Sequence, residues 1–205
     1  MAQGLLRKEE EMQFTKGISL VLIAYLLGSI PTALLYSKLF QGVDIRRLGD
    51  GNMGARNSKR QFGWRAGVLI ALADILKGTL AVEFATLLIH PDCWQYLCGA
   101  FVVLGHDFPV FAHFKGGQGF ATTTGVFLGL FPGLTMIGFL IYVMIYFTTR
   151  ISDLAASLGM GFLAAAAWFK YGSILVIGFI VLLLLFIPLK KRMDRGRVVV
   201  IRSSE

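Results

Sequence analysis

Charge is scarce in this chain. Of 205 residues, 16% are Asp, Glu, Lys or Arg, against about a quarter in an average soluble domain. Acidic residues number 12, histidines 3, prolines 5 and cysteines 2. Two cysteines exclude a disulfide scaffold. Cys93 and Cys98 lie five apart, about 140° around a helix, so no bridge between them is expected, and no metal-ligand spacing is present. With 56% apolar residues, 17 Phe, 24 Gly and a mean hydropathy of +0.68, disorder is excluded. A soluble core of this size could not hide so much apolar surface. An all-α polytopic membrane protein remains, and the net charge of +8 is assigned to loops flanking the bilayer rather than to a nucleic-acid partner.

A spanning helix takes about 20 mostly apolar residues. Residues 1–16 are polar and read as a loose leader, and residues 17–39 as the first span. A loop rich in Gly and Arg fills 40–65. Spans follow at 66–89 and 94–114, then a tight Gly-rich loop at 115–119. The stretch 120–149 is one long helix or two short ones broken at Phe131-Pro132-Gly133, where proline interrupts the helix ladder and glycine permits a turn. Spans at 151–169 and 173–189 precede a basic tail, 190–205. The transmembrane domain is thus 17–189.

Orientation decides the ambiguous stretch. The 40–65 loop carries Arg46, Arg47, Arg56, Lys59, Arg60 and Arg65, and the positive-inside rule places it in the cytoplasm. A break then gives seven spans, some short, with the N-terminus outside and the C-terminus cytoplasmic. Lys115, Arg150, Lys190, Lys191, Arg192, Arg195, Arg197 and Arg202 all join the inner side, leaving Arg7, Lys8, Lys16 and Lys170 outside. Without the break Arg150 and the tail fall outside. Residues 120–131 are too short to cross alone and are expected to line a cavity.

Three groups of residues carry chemistry. In the first loop Gly49, Gly51 and Gly54 let the backbone turn its N–H groups toward one point, a nest that binds anions. Arg46, Arg56 and Arg60 flank it and offer bidentate contacts, while Asn52 and Asn57 can orient a hydroxyl or carbonyl. The bland alternative is a flexible basic loop. In the second group, Lys115-Gly116-Gly117-Gln118-Gly119 is another anion cradle. His106 is either a packed interfacial histidine or folds toward Lys115, since Pro109 bends the path between them. Third, Asp74 and Lys77 at i, i+3 share a helix face inside a span and either brace the bundle or act directly. Glu83 lies about 180° from Asp74 without an obvious partner. Arg150 and Asp153 place further charge on the inner side.

These residues resemble the PlsY-type family of membrane acyl-phosphate:glycerol-3-phosphate acyltransferases over residues 18–192. Gly28-Ser29-Ile30-Pro31, Gly49 to Arg60, Asp74-x-x-Lys77-Gly78, and Gly105-His106 through Phe114-Lys115-Gly116-Gly117-x-Gly119 carry the likeness. The resemblance implies a seven-helix fold and transfer of a fatty acyl group from acyl phosphate to glycerol 3-phosphate, giving lysophosphatidic acid without metal, acyl-CoA or other cofactor. It implies Asp50, Asn52, Asn57, His106 and Lys115 as catalytic candidates. Substrate would be bound by Arg46, Gly49, Gly51, Gly54, Arg56, Arg60, Gly116, Gly117, Gln118, Gly119, Arg150, Asp153 and Arg192. Expected partners are membrane lipid and a soluble enzyme that makes acyl phosphate, at a bacterial inner membrane with the site facing the cytoplasm.

The chain departs from the family pattern at Asp50 (Ser), Arg56 (Thr), Gln118 (Lys) and Asp153 (Ser). The family's C-terminal His and Asn fall by position on Leu185 and Pro188, with Arg192 retained. Asp50 is expected to pair with Arg46 or Arg56, or else to serve as a general base. The competing readings are a regulatory membrane protein of the same fold and a transporter of phosphorylated solutes. The transporter would call for a paired half-sequence repeat, which the sequence does not show.

Overall fold

The computed structural model describes residues 2–90 and 93–194. Among them are nine α-helices: α1 (Ala2–Gly28), α2 (Thr32–Gln41), α3 (Ala55–Phe62), α4 (Trp64–Leu88), α5 (Cys93–Asp107), α6 (Phe120–Leu130), α7 (Pro132–Thr149), α8 (Ser152–Tyr171) and α9 (Ile174–Asp194). Four stretches are long and apolar enough to cross a membrane: Arg7–Gln41, Pro132–Thr149, Ser152–Tyr171 and Ile174–Asp194.

Several boundaries differ from the sequence reading. The polar leader is helical and continuous with the first span in α1. That span then breaks at Ser29-Ile30, because Pro31 has no N–H to donate and becomes the N-cap of α2. The third span ends at Asp107 rather than 114, since Phe108 precedes Pro109 and is biased out of the helical region. The basic loop contains α3, and α4 starts at Trp64 after Gly63 turns the corner with φ 86°. α9 runs through Lys190 to Asp194, into what reads as tail. Arg195, Arg197 and Arg202 lie outside the described residues. The expected break at 131 is present. Phe131 takes φ −138°, ψ 59°, and Pro132 occupies the first turn of α7, where its missing N–H costs nothing. At 11 residues, α6 is about 16 Å long, roughly half a bilayer core.

The helices associate in three close pairs, each admitted by two glycines. A Cβ on Gly28 of α1 would overlap the Val102 carbonyl of α5, and one on Gly105 of α5 would overlap the Tyr25 carbonyl of α1. Gly78 of α4 and Gly125 of α6 face the Thr122 and Ile75 carbonyls in the same way. Gly138 of α7 and Gly159 of α8 face each other's carbonyls. Small residues at such crossings let backbones approach. Val82, Val102, Val103, Val126, Phe127, Leu163 and Ile180 fill the centre. Leu22, Leu69, Leu72, Leu140, Met144 and Leu175 are exposed on the outside, as lipid-facing residues should be. A second, smaller core of Ala33, Leu34, Ile45, Met53, Ile70 and Ala112 anchors the basic loop against α2 and α4.

Glycine at the α4–α6 crossing is therefore a steric requirement. Gly125→Leu is expected to abolish the monodisperse detergent-solubilised protein or lower its thermal midpoint sharply. Gly161→Leu, at a position with open space around it, should leave both unchanged. Equal behaviour of the two variants would refute the pairing.

Candidate active site

The break between α1 and α2 sets up the site. Carbonyls at the break receive a charge from α4: Lys77 Nζ lies 3.1 Å from Gly28 O and 3.3 Å from Ile30 O. The same nitrogen is 2.9 Å from Asp74 Oδ1 and 2.8 Å from His106 Nδ1. Thr32 Oγ1, on the first residue of α2, donates to Asp74 Oδ1 at 2.7 Å. Asp74, Lys77 and His106 are all buried. One carboxylate and one ammonium cancel, and surrounding hydrogen bonds make the burial tolerable. When His106 Nδ1 accepts from Lys77, the ring proton sits on Nε2. Gly117 packs against that nitrogen so closely that a Cβ would overlap it, and Gly117 N–H donates to the His106 carbonyl at 3.1 Å. Among the described residues, Asp74 Oδ2 is buried without a hydrogen-bond partner.

Asp74 and His106 border a cavity of about 610 Å³. Its polar mouth is formed by Asn52, Gly54, Arg56, Lys59, Gln118, Gly119, Arg150 and Ser152. Its other end is apolar and runs between α4, α6, α7 and α8. One α7 face, Thr135, Gly138, Phe139, Tyr142, Val143, Tyr146 and Phe147, lines it throughout. From Thr135 to Arg150 that face is about 22 Å long. Tyr142 and Tyr146 stack with parallel rings 6.1 Å apart, giving a flat aromatic wall.

Three helices begin at the mouth: α3 after Gly54, α6 after Gly119 and α8 at Ser152. Their unsatisfied N–H groups and dipoles add positive potential, and Arg56, Lys59 and Arg150 add full charges. Among the described residues, Asn52 Nδ2 is a buried donor without an acceptor. The mouth thus suits an anion with several oxygens.

The sequence-predicted residues divide into two groups. Asn52, Gly54, Arg56, His106, Gln118, Gly119 and Arg150 border the cavity. The others do not. Gly49 (φ 59°) and Gly51 (φ 67°) shape the loop. Asn57 is buried inside it, with Nδ2 donating to Leu48 O and Asn52 O, both at 3.0 Å. Arg46 bonds Asp44 at 2.6 Å. Arg46 holds the Asp44 carboxyl below its usual range, and Asp44 raises the guanidinium in turn. Gly116 and Gly117 back the His106 segment, and Lys115 is exposed beside them. Arg192 is exposed on α9, as are Leu185 and Pro188. Asp153 sits beside the mouth, next to Ser152.

The expected partners of Asp50 are not the observed ones. Asp50 pairs with Arg60, and its Oδ1 accepts the Asn52 N–H at 3.1 Å. Arg56 pairs instead with Asp153 at 3.1 Å. The reason is α3: Arg56 and Arg60 are one turn apart, so Arg60 reaches back to the loop while Arg56 reaches across to α8. Sequence reasoning also missed Lys59, Tyr142, Tyr146 and Lys191. The tyrosines carried a signal, since Phe139, Tyr142 and Tyr146 at i, i+3 and i+7 mark one helix face.

This geometry defines a helical membrane protein in which a cavity joins a positively charged mouth to an apolar groove. A family model described as glycerol-3-phosphate acyltransferase matches residues 18–199. Glycerol-3-phosphate acyltransferase of Bacillus subtilis (strain 168) is 38% identical over 180 residues, covering 88% of this chain and 92% of that protein. Glycerol-3-phosphate acyltransferase 2 of Bacillus anthracis is 44% identical over 138 residues, covering 67% and 72%. Crystal structures of PlsY (YgiH), an integral membrane glycerol 3-phosphate acyltransferase, are similar at 32% identity, covering 89% of this chain and 91% of that one. The TM-score is 0.80 for the glycerol 3-phosphate form and 0.78 for the lysophosphatidic acid form. The chain belongs to the glycerol-3-phosphate acyltransferase family.

Asn57 ties the loop together, and its substitution tests that assignment. Asn57→Ala removes two part-buried bonds to loop carbonyls and should cost about 1–3 kcal/mol, read as a lower thermal midpoint. An unchanged midpoint with lost turnover would return Asn57 to a catalytic role.

Proposed function

We propose that the protein transfers a fatty acyl group from acyl phosphate to glycerol 3-phosphate, giving lysophosphatidic acid and inorganic phosphate. The observation that carries this reading is the junction of the cationic mouth and the apolar groove at Asp74 and His106. The acyl chain lies along α7 and the phosphates lie among the helix N-termini, Arg56, Lys59 and Arg150. Exposed Lys115 and Arg192 add positive charge on the proposed cytoplasmic face and draw anions toward it, while Arg46 and Arg60 are paired with Asp44 and Asp50.

In this mechanism the glycerol hydroxyl attacks the acyl carbonyl carbon. The bond from that carbon to the phosphate oxygen breaks, and the hydroxyl proton leaves on the phosphate. Asp74 Oδ2 accepts the hydroxyl hydrogen bond and aligns the nucleophile, and the His106 Nε2–H supports the carbonyl oxygen as charge develops. Asn52, Gln118 and the Gly54 and Gly119 backbone hold the phosphate. Asp50 and Asn57 fix the loop that presents Asn52. A mixed anhydride is already activated, so positioning and preorganised charge supply the acceleration.

The test is a product assay with purified protein. Lysophosphatidic acid and phosphate should form from acyl phosphate and glycerol 3-phosphate in chelator, and acyl-CoA should not replace acyl phosphate. Activity with acyl-CoA alone would overturn the donor. Removing one member of the buried pair separates structure from chemistry. Lys77→Met leaves Asp74 uncompensated and should cost about 3–5 kcal/mol. Asp74→Asn/Lys77→Met should regain most of that stability yet remain inactive. A stable, active double variant would make the pair purely structural.

The same reading places the mouth in the cytoplasm of a bacterial inner membrane, with seven spans formed by α1, α4, α5, α6, α7, α8 and α9. A soluble enzyme would deliver acyl phosphate there. The distribution of basic residues supports this orientation. In a background lacking Cys93 and Cys98, a cysteine at Ser203, outside the described residues, should react only with membrane-permeant thiol reagents. Labelling from outside would invert the topology.

A further inference from the structure

Arg56 and Asp153, two departures from the family pattern, are bonded to each other. Arg56 Nη1 donates to Asp153 Oδ1 at 3.1 Å. The other carboxylate oxygen accepts from Lys191 Nζ at 2.7 Å. Asp153 lies in the first turn of α8, Arg56 in the first turn of α3 and Lys191 in the last turn of α9. One carboxylate therefore bridges cations from two other helices. It does so at the rim of the cavity, where Arg56 and Ser152 both form part of the wall.

We propose that Asp153 is a resident anion standing where a phosphate monoester binds, and that Lys191 is a phosphate-binding residue freed when the monoester displaces the carboxylate. The inference rests on the function proposed above and adds to it a site residue and a built-in competitor. A carboxylate offers two oxygens and one negative charge. A phosphate monoester offers three terminal oxygens and nearly two charges at neutral pH, so it satisfies the same two cations and wins on charge.

Exchange is physically easy. The side chains of Arg56, Asp153 and Lys191 are 55%, 59% and 37% exposed. Such pairs are weak and screened by water, and none of the three is left buried and unpaired when they separate. Displaced, Asp153 remains at the N-terminus of α8, where a carboxylate is favourable. In the reverse direction, its return to Arg56 and Lys191 helps expel the inorganic phosphate formed by turnover.

The experiment measures phosphate binding without turnover. Thermal unfolding of the full-length protein in neutral detergent is followed against inorganic phosphate and, separately, glycerol 3-phosphate. Asp153→Asn should tighten both by about three- to fivefold, the worth of one exposed ion pair. Asp153→Ser, carrying the family residue, should do the same, and provides a second variant if the first folds poorly. Lys191→Met should weaken binding by a similar factor, and should cancel the gain when combined with Asp153→Asn. Weaker binding by both Asp153 variants, unchanged binding by Lys191→Met, or no response of any variant to soluble phosphate would overturn the proposal. So would stabilisation by anionic phospholipid alone, which would make the rim a reader of the membrane surface. The acyl-transfer reading fails separately, if wild-type protein binds phosphate but forms no lysophosphatidic acid.

Discussion

Everything in this structure is arranged around one buried ion pair. Lys77 and Asp74 sit inside a helix bundle where an isolated charge would be prohibitively costly. The broken first span makes their presence tolerable. At Ser29-Ile30 the chain leaves the helix, and the carbonyls released there turn toward Lys77. The backbone defect and the charge compensate each other. Thr32, just past the break, then fixes Asp74 Oδ1. One oxygen is fully engaged and the other is buried without a hydrogen-bond partner among the described residues, a rigid presentation that a flexible surface carboxylate could not provide.

The three glycine-matched crossings explain why a cavity exists at all. Each brings two helices so close that nothing fits between them. The pairs α4–α6 and α7–α8 are individually dense, and the space is left between them. Side chains of Tyr142, Tyr146 and Phe139 on α7 wall it, and the phenols and rings give a surface that accepts methylene groups without specific hydrogen bonds. Tight pairing inside the pairs thus leaves an opening between them.

Much of the architecture was legible in the sequence because the strongest signals are local. Pro132 after Phe131, the hydropathy of the spans, and charges three residues apart in α4 each dictate structure without knowledge of the rest. The basic loop was less legible. Its glycines announce turns, but only the length of α3 determines that Arg60 returns to Asp50 while Arg56 crosses to Asp153. Asn57 illustrates the same limit. A buried amide that ties a loop and an amide that orients a substrate are the same residue on paper. Lys191 was hidden among its basic neighbours, since only the helical phase of α9 separates it from exposed Arg192 and buried Lys190.

Three helix starts share the mouth, and that fact bears on how such a protein can change over time. Partial charge on a peptide group cannot be titrated away at any physiological pH, nor deleted by a single codon change. An anion-receiving entrance built on main-chain dipoles therefore keeps its sign while the side chains around it are exchanged. Side chains at the rim such as Asp153 and Arg56 can be replaced without touching those main-chain groups. On the proposed reading, such replacements tune how strongly phosphate is held while the main-chain donors stay in place.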